Sequence, residues 1–393
     1  MKALVIVIFF LTTGYSSLLA QGSVDRIVAE IEKNNTGLSA LRKKAEAQKL
    51  GNKTGIYLKN PEIGFNYLWG NPTMIGNRVD LSFEQTFDFP TAYRYKSQIA
   101  DGRDQQVDID YQQQRLGLIT QVRMLCIDLA HTYALENEFA RRLEHAQSIV
   151  KSYQAKFDQG DAGILELNKA RLNFLGIRKE AEANGIEYQS LLAELATLNG
   201  GIPIAWSESI YPSREIPADF EQWYQQAEKS NPMLTWLRKE LEISQQQEKL
   251  QFALGLPKFS TGYLNEKIVG EHFQGVTLGM SIPLWENKNA VKQAKAQFLA
   301  VQDVERDRKL MFYNQLKMLH AKAVRLQQST GDYRLALQTV DNGSFLGKAL
   351  EAGEISLIDY ILELSLYYES QTRLLAAERD LNRVISELYQ FLE

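Results

Sequence analysis

Cysteine is almost missing from this chain: Cys126 stands alone. A lone thiol excludes intrachain disulfides and four-thiolate metal sites, so no covalent or zinc staple holds the fold. Histidine is scarce too, with only His131, His145, His272 and His320. His131 and His145 could share a helix face but would stand about four turns apart, too far to hold one ion. No block of Lys and Arg occurs and the formal charge is -4, which offers nucleic acid nothing to bind. HExxH, GxGxxG and P-loop patterns are absent. The nearest approach, Gly343-Ser-Phe-Leu-Gly347-Lys348, is one residue short and lacks the Ser or Thr that should follow. With no nucleophile beside a base and no ligand cluster, the expectation is a protein that is not an enzyme and carries no cofactor or metal. Long apolar runs are also lacking: past the N-terminal segment none approaches the ~18 residues of a membrane helix.

What the chain does have is a repeat. Asn35, Leu38, Leu41, Arg42, Lys43, Pro61, Tyr67 and Leu68 return in the same order as Asn231, Leu234, Leu237, Arg238, Lys239, Pro257, Tyr263 and Leu264. Val79-Asp80-Leu81 answers to Val276-Thr277-Leu278, and Gly160-Asp161 to Gly353-Glu354. Each repeated unit is about half the molecule, so this is a duplication rather than a solenoid. Its expected divisions are a signal peptide over 1–20, a first repeat over 21–200, a linker over 201–230 and a second repeat over 231–393.

The first segment has Lys2, an apolar run from Ala3 to Leu11, and Leu18-Leu19-Ala20 before Gln21. Its apolar part is too short to span a bilayer and Ala20 is small, which is the form of a secretory signal peptide. Removal of that segment takes away one lysine and moves the formal charge from -4 to -5. An exported protein of this kind remains in the periplasm, leaves the cell, or enters the outer membrane as a β-barrel.

From about Asp25 to Leu58 the pattern is helical, with Pro61 expected to end it. The period then changes to two. Ile63, Phe65, Tyr67 and Trp69 alternate with polar or small neighbours, and Val79, Leu81, Phe83, Gln85 and Phe87 do so after a Gly/Asn/Pro loop. The second repeat has the same pair of strands, expected over about 257–284, against about 61–88 in the first. The hairpins could form a small soluble sheet with one face on a core. Against that, no other segment supplies strands, the opposite faces are polar, and Tyr67, Trp69, Phe87, Phe89, Tyr263 and Trp285 gather where a bilayer's aromatic girdle would lie. Four strands cannot close a barrel, whose smallest outer-membrane form needs ~8, so a membrane reading requires several chains; three would supply twelve strands.

After Pro90 the chain reads as helix to about Phe157. A heptad seam fits Ile119, Cys126, Tyr133 and Ala140 with Val122, Leu129, Leu143, Val150 and Phe157. Such a helix would be on the order of 100 Å long. Its counterpart is expected from about Asn289 to Leu350. Both stop at glycine, Gly160 and Gly353, and an amphipathic helix returns at once, over about Ile164–Leu198 and Leu357–Leu392, so both sites read as tips of helical hairpins.

Taken together, the layout of helix, strand hairpin, very long helix, glycine tip and returning helix, twice over, resembles the TolC-like outer-membrane efflux proteins along essentially the whole mature length. The tips Gly160-Asp-Ala-Gly-Ile-Leu-Glu166-Leu and Gly353-Glu-Ile-Ser-Leu-Ile-Asp359-Tyr are similar to that family's tip pattern. Ser82-Phe-Glu-Gln-Thr-Phe and Gly279-Met-Ser-Ile-Pro283-Leu284 resemble its strand-to-helix junctions. The resemblance implies a mostly α fold with a small membrane β part: a homotrimer with a twelve-strand outer-membrane barrel continuous with a periplasmic α-helical barrel. It also implies two partners, a periplasmic adaptor (membrane fusion protein) and an inner-membrane efflux transporter, besides outer-membrane lipid. By position, Gly160, Ile164, Gly353 and Leu357 would form the adaptor-docking tips, and Glu166 and Asp359 the pore constriction, unless the two carboxylates serve only to start the returning helices. Ile355 and Leu362 stand where some members carry charges. A non-conducting periplasmic coiled-coil scaffold is the alternative function.

Overall fold

A computed structural model of the chain describes residues 22–209, 211, 214–339 and 343–392. The expected signal peptide lies outside them. Helix α1 covers residues 22–34 and α2 Thr36–Asn52; strands β1 (Glu62–Leu68) and β2 (Arg78–Phe87) follow. Next come α3 (Pro90–Gln159), α4 (Ile164–Leu198) and α5 (Phe220–Ser230). The second half has α6 (Pro232–Leu254), β3 (Lys258–Ile268), β4 (Glu271–Ser281), α7 (Ala290–Thr339), α8 (Gly343–Glu351) and α9 (Leu357–Tyr389).

The opening helix differs from expectation in two places. Asn35 interrupts it and starts α2 afresh, its Oδ1 accepting the Leu38 amide at 2.8 Å. Its end comes at Asn52, well before Pro61, because Gly55 at φ 73° turns the chain after the amides of Lys53 and Thr54 have bonded back to Leu50 and Gly51. The second long helix is described over Ala290–Thr339 (α7) and Gly343–Glu351 (α8), and residues 340–342 lie outside the described residues.

Two compact units mix the repeats rather than following them. One comprises residues 39–113 and 228–312. It contains the sheet, whose strands are antiparallel in the order β1-β2-β3-β4. Beside the sheet, the first turns of α3 pack on α6 through Ala92, Ile99, Ile243, Leu250 and Ala253. The approach is close: a Cβ on Gly102 would come 2.7 Å from Cγ1 of Ile243. Polar contacts tie α2 to the same stretch of α3, with Lys49 on Asp108 at 2.6 Å and Asn52 on Asp104 at 2.9 Å.

The other unit takes residues up to 38, 114–227 and 313 onward. Its larger core joins Val24, Ile27 and Ile31 of α1 to Ile119, Val122, Cys126 and Leu129 of α3 and Leu191 and Leu195 of α4. Trp206 and Tyr211 of the linker close it, and the Tyr188 hydroxyl donates to the Trp206 carbonyl at 2.7 Å. Cys126 packs in this core as a small apolar group, and burial pushes its thiol up to about 12. A second core, nearer the tips, unites Ile149, Tyr153, Leu167, Ala170, Leu357, Tyr360 and Leu364.

The heptad seam of α3 holds only in its upper part. Below Tyr133 the buried residues are Leu135, Glu138, Phe139, Arg142, Ala146, Ile149 and Tyr153, while Ala140 and Phe157 are exposed. The partners change along the helix, from α1 and α4 in the upper core to α4 and α9 in the lower, and the buried stripe turns to follow them. A strict seven-residue reading also drifts by ~20° per heptad on a straight helix.

Candidate functional site

Pairing in the sheet fixes which side each residue faces, because directly opposed residues of antiparallel strands share a face. Tyr67 pairs with Val79, Phe83 with both Ile63 and Tyr263, Phe87 with Phe259, and Leu278 with Thr261. One face therefore carries, besides Gln85, Thr261, Asn265, Lys267, His272 and Gln274, the apolar and aromatic side chains of Ile63, Phe65, Tyr67, Val79, Leu81, Phe83, Phe259, Tyr263, Val276, Leu278 and Met280. These are large, and nearly all are solvent-exposed; Leu278 is 84% exposed. The other face has Glu62, Asp80, Ser82, Glu84, Lys258, Ser260, Glu266 and Thr277, with glycines 64, 262, 275 and 279 and the apolar Leu68, Leu264, Ile268 and Phe273 among them. It is the crowded side: a Cβ on Gly262 would stand 2.4 Å from the Phe83 carbonyl oxygen. Arg78 reaches two carboxylates there, Asp80 at 2.8 Å and Glu266 at 3.1 Å. Within the described chain nothing covers the apolar side chains of the first face.

The aromatic residues fall into two groups and one exception. Phe87 is the last residue of β2, with Phe89 and Trp285 just beyond the strand ends on the helical side. Tyr67 and Trp69 lie at the opposite end, ring centroids 5.6 Å apart and edge to face. Tyr263 is midway along β3, opposite Phe83 and Val276, and belongs to neither end. Alternation reveals a residue's face but not its height in the sheet, so the sequence could not separate it from the others.

Both glycine tips are built alike. Gly160 has φ 83° and Gly353 φ 75°, the left-handed conformation that ends a helix. The next amide then bonds five residues back, Asp161 to Lys156 at 2.8 Å and Glu354 to Ala349 at 2.9 Å. Glu166 and Asp359 each occupy the third position of the returning helix. The Gly163 amide donates to Glu166 at 2.9 Å. At the other tip the Ser356 amide donates to Asp359 Oδ2 at 3.4 Å while the Asp359 amide donates to Ser356 Oγ at 3.2 Å, a complete capping box. Both carboxylates thus satisfy helix-starting amides, whatever else they do.

At the tips the expected docking residues separate. Ile164 is 48% exposed and its neighbour Leu165 73%, whereas Leu357 is 2% exposed, inside the lower core. The apolar side chain offered to solvent at the second tip is Ile358, at 47%. Equal distance from the two glycines does not give equal phase, since α9 packs on α3, α4 and α8 together and turns its first residue inward.

Among the described residues no cluster of His, Cys, Asp and Glu could hold a metal ion, and no helix is long and apolar enough to cross a membrane. The second statement does not bear on β-strands.

Neither a family model nor a curated protein matches the sequence. Solved structures do. The chain superposes on the CmeC outer membrane channel of Campylobacter jejuni with TM-score 0.77 at 15% identity, over 94% of this chain and 85% of that one. For the outer membrane protein VceC of Vibrio cholerae the values are 0.78, 13%, 94% and 96%. For the open state of the MtrE outer membrane channel of Neisseria gonorrhoeae they are 0.73, 12%, 94% and 88%. The chain has the TolC-like fold of these channels: mostly helical, with long hairpins and one small antiparallel sheet.

Proposed function

We propose that this protein is the outer-membrane channel of a tripartite efflux system, a homotrimer that conducts its cargo passively across the periplasm and outer membrane. The observation that carries the reading is the sheet: an exposed apolar face, a polar face behind it, and two unpaired edges, β1 and β4, within a channel fold. Lipid is the solvent that suits the first face and water the second. Another copy satisfies the edges, β4 of one chain adding to β1 of the next, and three copies give twelve strands. Phe87, Phe89 and Trp285 would then mark one lipid boundary, and Tyr67 and Trp69 the other.

At the helical end, Gly160, Ile164, Leu165, Gly353 and Ile358 would meet the periplasmic adaptor, which joins the channel to an inner-membrane transporter. Energy comes from that transporter. Asp359, beside the second tip, would come three to a ring at the constriction and favour cations. Glu166 would stand near it.

Extraction in mild detergent followed by light scattering corrected for bound detergent tests the reading, with conductance in planar bilayers as the second measurement. A detergent-dependent trimer that passes ions is expected. A monomer soluble in plain buffer would overturn the barrel and leave the non-conducting periplasmic scaffold.

A further inference from the structure

Every connection between helices and sheet is made at one end of the strands: β1 begins after α2 and β2 runs into α3, β3 begins after α6 and β4 runs into α7. The opposite end holds both basic side chains of the apolar face, Lys267 and His272, paired directly across β3 and β4. One row further in, Asn265 pairs with Gln274. Among the described strand residues no carboxylate lies on this face. Glu266 and Glu271, the neighbours in sequence, alternate to the other face, where Arg78 holds Glu266 at 3.1 Å.

Hydrogen bonds within this block of four leave it a surplus of donors. His272 Nε2 is 2.9 Å from Asn265 Oδ1, and since an amide oxygen only accepts, the imidazole N–H donates. The Tyr263 hydroxyl donates to Gln274 Oε1 at 2.8 Å. Both amide oxygens are thus engaged by ring donors, while both amide NH2 groups remain. Lys267 is exposed and, among the described residues, pairs with no carboxylate. Paired side chains on antiparallel strands stand ~5 Å apart and successive ones on a strand face ~7 Å, so one oxyanion can meet the ammonium and both amides.

The height of the block agrees with its chemistry. Along β3 from Phe259, level with Phe87, to Lys267 is about 27 Å at ~3.4 Å per residue. With a strand tilt of ~40° this is about 20 Å of depth, close to the outer limit of an apolar band ~25 Å tall. Tyr67 shares the row of Lys267 through Val79, and Trp69 lies beside it. Such aromatics sit at the level of headgroups.

We propose that this corner of β3 and β4 binds the phosphate of an outer-leaflet glycolipid. Lys267 supplies the charge and Asn265 and Gln274 the amide hydrogens, with His272 and Tyr263 as positioning residues that turn the amide oxygens away from the anion. The acyl chains continue over Val276 and Leu278, which a free phosphate would leave bare. The proposal rests on the channel reading, which puts this face in lipid.

Native mass spectrometry of the purified full chain in mild detergent tests it, with bis-phosphorylated lipid A, the same lipid stripped of phosphate, and inorganic phosphate as the three probes. The wild type should bind the phosphorylated lipid at least ten-fold more tightly than the stripped one. Lys267→Gln should bring the two within about two-fold, and Lys267→Arg should keep most of the preference. Asn265→Leu combined with Gln274→Leu, which suits lipid and leaves the lysine, should cut the preference at least three-fold. Lys258→Gln, on the other face, should not alter it. An equal affinity for both lipids, or a preference untouched by the double leucine variant, would overturn the site, the latter leaving only an interfacial charge. Inorganic phosphate bound as tightly as the lipid would overturn the lipid as its source. The same spectra count the chains, so a trimer without the preference would remove the site and leave the channel reading standing.

Discussion

Asn35 and Asn231 do the same work in the two halves of the chain. Asn35 accepts the Leu38 amide at 2.8 Å to start α2, and Asn231 accepts the Met233 and Leu234 amides at 2.8 and 3.3 Å to start α6. Behind each cap a leucine, Leu38 or Leu234, is buried. Replacement of Asn231 by Ala should cost about 1 kcal/mol. Asn35→Ala should cost more, since its Nδ2 also donates to the Leu198 carbonyl at 2.8 Å. Denaturant midpoints of the two variants in detergent check the order.

The faces of the sheet predict opposite responses to charge at adjacent positions. Leu278→Arg, on the apolar face, should impair outer-membrane insertion, with a penalty of about 2–4 kcal/mol at mid-bilayer depth. Thr277→Arg, one residue earlier and on the polar face, should insert and alter conductance instead. Fractionation of cells expressing each variant separates the outcomes; equal insertion of both would remove the lipid-facing assignment.

At the tips, Leu165→Asp should weaken adaptor binding and leave the fold intact, because the side chain lies in solvent. Leu357→Asp should unfold the lower core, because the carboxylate would be buried without a partner. Binding to immobilised adaptor, read beside thermal stability, distinguishes loss of a surface from loss of a structure.

For Asp359→Asn two effects should be separable. The capping box is weakened, by up to ~1 kcal/mol, and in the proposed trimer a ring of three charges disappears. If the ring sets ion preference, the cation-to-anion permeability ratio in planar bilayers falls toward one. An unchanged ratio would leave Asp359 as a helix start only.

His131 supplies a stability that should vanish in acid. Burial lowers its pKa to about 4, helped by the Arg379 charge and opposed by Asp128 and Asp380. The folded state thus favours the neutral ring. Its contribution is complete above the unfolded value near 6.5 and is lost progressively as pH falls toward 4. His131→Gln should flatten the dependence of Tm on pH across that window.

Period and punctuation carried most of the architecture into the sequence. Alternation from Ile63 to Phe87 marked a hairpin because each strand has one apolar side, and Gly160 and Gly353 marked helix ends because few other residues accept positive φ. What stayed hidden depends on neighbours. Leu357 and Ile164 occupy equal positions after a glycine, yet only packing decides which turns inward. Nothing in the sequence marks Arg142 and His145 as partners of α9, because that helix meets them only through packing. Tyr263 looked like its fellow aromatics, because strand height comes from register and a period of two does not contain it.

The two open edges of the sheet come from different halves of the chain, β1 from the first and β4 from the second. In the trimer proposed here, a newly exported chain therefore has no intermediate degree of completion: alone it presents a greasy face and two sticky borders, and only ring closure hides all three. Assembly and membrane entry become one event, steeply dependent on how many chains are present. A chain missing its second half would add a β2 edge where β4 should be, so it could join a growing ring with the wrong border and stop it, a dominant defect from a fragment.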